Sequence, residues 1–130
     1  MCPRRCVESA DAVARIKLSI VFESGARIGP GKAALLESVG QSGSISAAAR
    51  NMGMTYKRAW VLLDSMNRAF SEPVVQAVVG GTHGGGAVLT GFGADVLNRY
   101  RRMLAGAEAA AADDLAALTR AALPDAGPKV

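Results

Sequence analysis

The feature that most constrains this fold is a pair of closely spaced helix signals in residues 44–70. Ser44 or Ser46 can cap a first short helix. Gly53 interrupts that helix, and Thr55 can cap a second, longer one. Along the second helix, apolar side chains recur every three or four residues and predict one buried face: Ala59, Leu62, Leu63, Met66 and Phe70. Two helices joined by such a tight, glycine-containing turn predict a helix-turn-helix.

The residues before this segment predict a strand and a helix. Alternating apolar side chains from Ile16 to Phe22 are typical of a half-buried strand. The glycine-rich stretch 23–31 predicts a loop. Pro30 can occupy the first position of a helix, and we expect Gly40 to end it.

The residues after this segment predict a hairpin. The short apolar runs Val74–Val79 and Ala87–Leu89 flank the glycine-rich stretch Gly80–Gly86. A hairpin placed directly after the second helix would be the wing of a winged helix. With this wing, we expect a mainly α fold with a small β-sheet, a winged helix-turn-helix followed by a long C-terminal dimerisation helix.

The last helix signal begins at Thr90, which can cap the helix. A helix that continues to Leu123 would be about 50 Å long, more than one small domain can cover. Part of its apolar stripe should therefore meet a partner chain. The residues predicted to form this dimer interface are Phe92, Val96, Tyr100, Met103, Leu115 and Leu118.

Positive charge is concentrated in the helix-turn-helix. The whole chain has a net charge of +4, and residues 50–68 carry four Lys or Arg residues against one Asp. Such a window favours a local anionic partner. The start of the second helix of this motif faces the DNA major groove, where Arg can bind guanine and Lys, Thr or Tyr can contact phosphates or base edges.

We therefore expect double-stranded DNA as the partner. The predicted contact residues are Thr55, Tyr56, Lys57 and Arg58 at the start of the second helix, Ser46, Arg50 and Arg68 around it, and Gly81, Thr82, His83 and Gly84 in the wing. We expect Trp60 to be buried in the core rather than to contact bases. The predicted domains are a flexible leader (1–14), a winged helix-turn-helix DNA-binding domain (15–90), a long dimerisation helix (91–123) and a disordered tail (124–130).

Two stretches of sequence resemble a known family. GSISAAARNMGMTYKRAWVLLDSMNRAF and VVGGTHGGGAVLTGFG are similar to the DNA-binding domain of ModE-type molybdate-responsive regulators, which is related to that of LysR-type regulators. The resemblance is most specific at Thr55–Trp60 and Ala87–Thr90. It implies an operator-binding homodimer that regulates molybdenum-related genes. Full-length members also have C-terminal molybdate-binding domains, and this chain ends about where those begin, so we expect no molybdate binding by this chain.

Other functions have weaker support in the sequence. His83 is the one histidine, no nucleophile arrangement is recognisable, and Gly25–Ala33 departs from the phosphate-loop pattern. We expect no enzyme activity and no cofactor, with Cys2 and Cys6 as free thiols. The lack of a long apolar run or secretory signal favours a cytoplasmic protein without membrane contact. The alternative function is a protein-interaction winged helix that heterodimerises with a full-length regulator.

Overall fold

The computed structural model describes residues 14–78 and 86–123. Its elements are β1 (Ile20–Val21), β2 (Arg27–Ile28), α1 (Pro30–Ser42), α2 (Ile45–Met52), α3 (Tyr56–Ala69), β3 (Val75–Val78), β4 (Gly86–Leu89), α4 (Gly91–Ala110) and α5 (Ala112–Ala121). The strands form two antiparallel pairs, β1 with β2 and β3 with β4. The fold is therefore mainly α with a small amount of β structure, as predicted.

The chain divides into two compact units. One unit spans Lys17–Arg102, and the other combines Met1–Ile16 with Met103–Val130. The predicted leader and tail lie outside the described residues, apart from Ala14. None of the described helices is long and apolar enough to cross a bilayer.

The core of the Lys17–Arg102 unit is formed mainly by the first three helices. Its largest fully buried side chains are Leu35, Leu36, Val39, Met66 and Val74. The apolar stripe predicted for α3 is confirmed, since Ala59, Leu63 and Met66 are buried and Leu62 and Phe70 are half-buried. Each large apolar side chain buried in this way contributes about 1.5–3 kcal/mol. The stripe therefore fixes which face of α3 remains in water.

Helix α1 begins at Pro30, as predicted, but it ends later than predicted. Gly43, not Gly40, is its C-cap, with a left-handed φ of 72°, and the Gly43 N–H donates to the Val39 carbonyl oxygen at 2.8 Å. Gly40 remains helical. A Cβ at Gly40 would lie 3.0 Å from Cδ1 of Leu89, so glycine at this position gives the wing strand room to approach.

The first strand is shorter than predicted. Only Ile20–Val21 is in strand conformation, and it pairs with Arg27–Ile28, which the sequence pattern assigns to a loop. Residues 16–19 precede β1 and are not in strand conformation. The end of this hairpin is held by aromatic rings. Phe22 packs edge-on against Phe70 at a centroid distance of 5.5 Å, and Phe70 against Phe92 at 5.3 Å.

Thr90 caps α4, as predicted. Its Oγ1 accepts a hydrogen bond from the Gly93 N–H at 2.8 Å and donates one to the Pro73 carbonyl oxygen at 2.7 Å. The first turn of α4 lies so close to Val74 that a Cβ on Gly93 would overlap the Val74 carbonyl oxygen. The start of α4 is thus fixed against the chain segment that leads into the wing.

The prediction of one continuous helix over residues 91–123 is wrong. Ala111, at φ −98° and ψ 8°, separates α4 from α5. The interruption is small, because the Ala111 N–H still donates to the Ala107 carbonyl oxygen at 3.0 Å and the Leu115 N–H to that of Ala111 at 2.8 Å. Asp113 and Asp114 occupy the first turn of α5, where the helix dipole favours negative charge. These two carboxylates favour a new helix start at this point.

Candidate nucleic-acid interface

Helices α2 and α3 form the predicted helix-turn-helix. Gly53 ends α2 with a left-handed φ of 68°, and its N–H donates to the Arg50 carbonyl oxygen at 3.1 Å. The Met54 N–H then donates to the Ala49 carbonyl oxygen at 3.0 Å. Ala48 and Ala59 are both fully buried, and their small side chains let neighbouring helices approach closely. The turn and the small residues together set the direction of α3.

Two hydroxyl groups cap the helices of this motif. Thr55 Oγ1 accepts a hydrogen bond from the Arg58 N–H at 3.1 Å, which confirms Thr55 as the N-cap of α3. Ser44 Oγ accepts from the Ala47 N–H at 3.1 Å, so Ser44, and not Ser46, caps α2. Ser46 lies exposed in the first turn of α2. The hydroxyl of Ser46 is therefore available to a ligand without a loss of helix capping.

The exposed face of α3 follows from its buried stripe. Successive residues of a helix are rotated by about 100°, so Tyr56 and Arg58 point in directions about 160° apart. Lys57 lies opposite the buried stripe, and Val61 follows it one turn later. Tyr56, Lys57 and Arg58 are all exposed, as a DNA contact requires. Their side chains point in three different directions, so they would contact three different parts of a partner.

Positive charge dominates the accessible surface of this motif. Within residues 14–78 and 86–123, Arg50, Lys57 and Arg58 have no ion-pair partner, and all three side chains are exposed. Arg68 differs, because its guanidinium pairs with the Asp64 carboxylate at 3.1 Å. It also lies about 15 Å along the axis from Arg58, at the far end of α3. The unpaired cations are thus concentrated around the start of α3.

A shallow open depression lies beside these cations. Its lining residues are Thr55, Lys57, Arg58, Val61 and Leu62. Val61 and Leu62 provide an apolar surface, and Lys57 and Arg58 provide positive charge. A partner that fits this depression must offer an apolar group close to negative charge.

The prediction that Trp60 is buried is wrong. The Trp60 side chain is 49% exposed, and its neighbours Tyr56 and Val61 are 54% and 49% exposed. The buried stripe of α3 is filled by Ala59, Leu63 and Met66, and Trp60 lies outside it. A helical wheel drawn from these residues places position 61 opposite the stripe, so the exposure of Val61 could have been found from the sequence.

Asn67 connects helix α3 to the wing. Its Oδ1 accepts hydrogen bonds from the N–H groups of Val74 at 2.8 Å and Val75 at 3.1 Å, and its Nδ2 donates to the Val75 carbonyl oxygen at 3.2 Å. At the other wing strand, the Ala87 N–H donates to the Gly43 carbonyl oxygen at 2.9 Å. Both strands of the wing are therefore tied to the helices.

The wing has the predicted antiparallel form. Val75 lies opposite Leu89, and Val78 lies opposite Gly86. The predicted wing contacts Gly81, Thr82, His83 and Gly84 lie outside the described residues, as do Cys2 and Cys6. Within the described residues, no group of three or more His, Cys, Asp or Glu side chains converges to hold a metal ion.

The predicted dimer residues fall into two groups. In the Lys17–Arg102 unit, Tyr100 is only 4% exposed, and its hydroxyl donates to the Leu18 carbonyl oxygen at 2.7 Å. Burial raises the pKa of the Tyr100 phenol. Tyr100 is therefore a core residue, and its assignment to a dimer interface is wrong. Phe92 packs on Phe70, and Val96 is half-buried.

The second group of predicted dimer residues lies between Met103 and Leu118. Met103 is 46% exposed and Leu118 is 67% exposed, while Leu115 is half-buried. Within this unit, the Ala14 N–H donates to Thr119 Oγ1 at 3.3 Å, and that hydroxyl donates to the Leu115 carbonyl oxygen at 2.7 Å. No side chain of α5 is buried. The apolar side chains in this stretch are thus available to a partner.

No protein-family model matches this chain. The chain is 46% identical to the molybdenum-pterin-binding protein MopB of Rhodobacter capsulatus over 93 residues. The aligned region covers 71% of this chain and 34% of MopB. It is 36% identical over 87 residues to the molybdenum transport protein ModE of Azotobacter vinelandii, covering 67% of this chain and 32% of that protein. The DNA-binding transcriptional dual regulator ModE of Escherichia coli K12 is also 36% identical over 87 residues, covering 67% of this chain and 33% of the regulator.

These relatives confirm the resemblance to ModE-type regulators. The chain spans about a third of the length of the relatives it matches. Among solved structures, a complex of the CbnR DNA-binding domain with DNA contains a similar chain, with a TM-score of 0.52 at 20% identity over 67% of this chain and 94% of that one. This structural likeness confirms the winged helix-turn-helix fold.

Proposed function

We propose that this chain, which matches about a third of the length of its ModE-type relatives, binds double-stranded DNA as part of a transcriptional regulator. The observation that carries the proposal is the exposed start of α3, where Lys57 and Arg58 extend from the second helix of the helix-turn-helix without ion-pair partners among the described residues. The names of the relatives support molybdenum-related genes as the target. No step of the proposed function is catalytic.

Each contact residue has a role that follows from its chemistry. Arg58 reads a guanine, because its guanidinium can donate two hydrogen bonds to one base edge. Lys57 and Arg50 bind phosphates on either side of that base. Thr55 Oγ1 accepts the capping hydrogen bond and keeps its own proton to donate to DNA.

Other contacts surround this centre. Ser46 donates to a phosphate from the first turn of α2, and Tyr56 contacts the DNA from the opposite side of α3 to Arg58. Arg68 contacts a phosphate only after it exchanges its pair with Asp64. Gly81, Thr82, His83 and Gly84 touch the flanking backbone.

The working unit of the proposal is a homodimer. The residues proposed for its interface are Phe92, Val96, Met103, Leu115 and Leu118, of which Met103 and Leu118 are exposed and the other three half-buried. A two-fold dimer places its two recognition helices about 34–36 Å apart, or a multiple of that distance, on a palindromic site. The operator should therefore contain two inverted half-sites.

The proposal is tested by selecting binding sites from a random DNA library and measuring affinity for the selected site. Arg58→Ala should weaken binding to that site by about 1–3 kcal/mol and relax the preference at one base position. Arg120→Ala removes the same charge from α5 and serves as the matched control, with no expected loss. The logarithm of affinity should fall with the logarithm of salt concentration, with a slope of about −0.9 per phosphate contacted.

Two results would contradict this proposal. The first is a selection that enriches no sequence. The second is an affinity for DNA that does not change with salt. Recovery of a full-length regulator as a heterodimer partner, together with either result, would establish the interaction function instead.

A further inference from the structure

The apolar part of the exposed α3 face has no role in the contacts assigned above. Val61 is 49% exposed, and it lies one turn after Lys57. An isolated exposed valine is ordinary on a protein surface. Val61 is not isolated, because Trp60 beside it is equally exposed and Tyr56 is 54% exposed. Three large side chains are thus exposed on the helix that should be covered by the partner.

The surroundings of Val61 restrict the kind of partner. The depression that Val61 and Leu62 line is also lined by Lys57 and Arg58. Across its exposed face, α3 carries Lys57, Arg58 and Arg68 against one carboxylate, which Arg68 already pairs. An apolar protein surface would leave these cations without partners. A partner that complements the depression must present a small apolar group between anionic groups.

The DNA major groove has this combination at one kind of base. Thymine exposes a 5-methyl group in the major groove, and phosphates line both sides of the groove. The other three bases present hydrogen-bonding groups and no methyl group at that position. The Val61 side chain has no hydrogen-bonding group. It can therefore favour one base over another only through apolar contact with the thymine methyl group.

We infer that Val61 is a specificity-determining residue that contacts the 5-methyl group of a thymine in the operator. The inference depends on the proposed DNA-binding function, which it deepens by naming the base. Val61 lies about 6 Å along the helix axis from Lys57, a distance of about two base steps. The thymine should therefore lie within about two base pairs of the position where Arg58→Ala relaxes the preference.

The experiment uses the full chain and the selected DNA site. Each thymine in one half-site is replaced in turn by deoxyuridine, which removes only the methyl group and keeps base pairing. For the wild-type chain, one replacement should weaken binding about fourfold, the effect of uncovering one methyl group. For Val61→Ala, the same replacement should change affinity by less than about 1.5-fold, because the contact is already lost.

A matched control is present in the first hairpin. Val21 is 60% exposed in β1, so Val21→Ala makes the same chemical change away from α3. This control should keep the fourfold deoxyuridine effect. Because both valines are exposed, both variants should keep the wild-type melting temperature, and a melting curve checks that Val61→Ala remains folded.

The outcomes separate the two levels of the argument. If Val61→Ala keeps the full deoxyuridine effect, or if no thymine shows the effect in the wild-type chain, the assignment of Val61 is overturned while DNA binding stands. If the wild-type chain binds no sequence preferentially, the proposed function fails first. An effect that is lost in Val61→Ala and kept in Val21→Ala supports the assignment.

Discussion

The Lys17–Arg102 unit and the helical stretch 103–121 both expose large apolar side chains, but the charges beside them differ. In the first unit, Val61 lies next to Lys57 and Arg58. In the second, Leu118 lies one turn from Asp114, and the first turn of α5 carries two carboxylates. An exposed apolar residue by itself says little about a partner. The neighbouring charge favours the proposed DNA contact in the first case and the proposed protein contact in the second.

The two regions also differ in how many of their side chains are buried. All the buried residues of α4 (Gly93, Leu97 and Tyr100) lie in its first half, within the Lys17–Arg102 unit, and α5 has none. The first region therefore obtains its stability from its own core. Among the residues that the structure describes, the second region buries little apolar surface, so its exposed apolar side chains are open to a partner.

The largest expected effect is on the free energy of unfolding. It comes from replacing a glycine by alanine in each half of α4, at Gly93 in the first half and at Gly106 in the second. Gly93→Ala should destabilise the chain by about 3 kcal/mol, because the new Cβ overlaps the Val74 carbonyl oxygen. Gly106→Ala meets nothing within 4 Å and should stabilise the chain by about 0.5–1 kcal/mol through helix propensity. Urea unfolding measures both changes. A loss of stability in both variants would show that the second region is packed as closely as the first.

The next effect tests the assembly of the second region. Leu118→Asp should raise the dimer dissociation constant by at least about 30-fold, or about 2 kcal/mol, because it places a charge in an apolar contact. Ala116→Asp, about 160° around α5 from Leu118 and also exposed, is the matched control and should leave the dimer intact. Sedimentation equilibrium distinguishes the two variants. Equal dimerisation of both would move the interface away from α5.

A smaller effect tests the core of the first region through pH. Burial raises the pKa of Tyr100, so the folded state holds this proton more tightly than the unfolded state does. The resulting stability is present below the ordinary tyrosine pKa of about 10 and is lost as the pH rises through the raised pKa. Tyr100→Phe should lower the free energy of unfolding by about 1 kcal/mol at neutral pH, because the hydrogen bond to Leu18 is lost. It should also reduce the loss of stability above about pH 10, because the phenol that ionises there is absent.

The control for this prediction is the other tyrosine. Tyr56 is 54% exposed, so Tyr56→Phe removes a hydroxyl group without disturbing the core and should leave the free energy of unfolding at neutral pH unchanged. Urea unfolding at neutral and alkaline pH gives both comparisons. An unchanged alkaline decline in Tyr100→Phe would mean that another group causes it.

The smallest perturbation uses the wild-type chain. Trp60 is the single tryptophan, and it is 49% exposed on α3. Saturating DNA should change its emission, because DNA that covers α3 shields the indole from water. Dilution that dissociates the dimer should leave the emission unchanged. A signal that follows dilution and ignores DNA would reverse the assignment of partners to the two regions.

Local signals in the sequence were sufficient to predict the helix-turn-helix. Thr55 and Gly53 act through their own hydrogen bonds and backbone angles, so their roles depend on neighbours within a few residues. Gly40 and Gly43 could not be ranked in this way. Either glycine can end a helix, and the choice depends on the approach of Leu89 from a distant strand.

Predictions that depend on distant contacts failed most often. The apolar spacing predicts Tyr100 in an interface, but its hydroxyl binds the carbonyl oxygen of Leu18, at the other end of the unit in sequence. The sequence also predicts Trp60 in the core, although the stripe of α3 is already filled by smaller side chains. The two-residue strand β2 had too few residues to form a recognisable pattern.

The hydrogen bond from Tyr100 to Leu18 joins residues separated by 82 positions and has a consequence for synthesis of the chain. Domains begin to fold as they leave the ribosome, and contacts between distant residues form only after the later residue has emerged. Helices α1 to α3 are made before α4 and can form through local contacts. Leu18, which lies just before β1, must wait for α4 before its carbonyl oxygen can accept this bond, so during translation the first residues of the unit are among the last to be fixed.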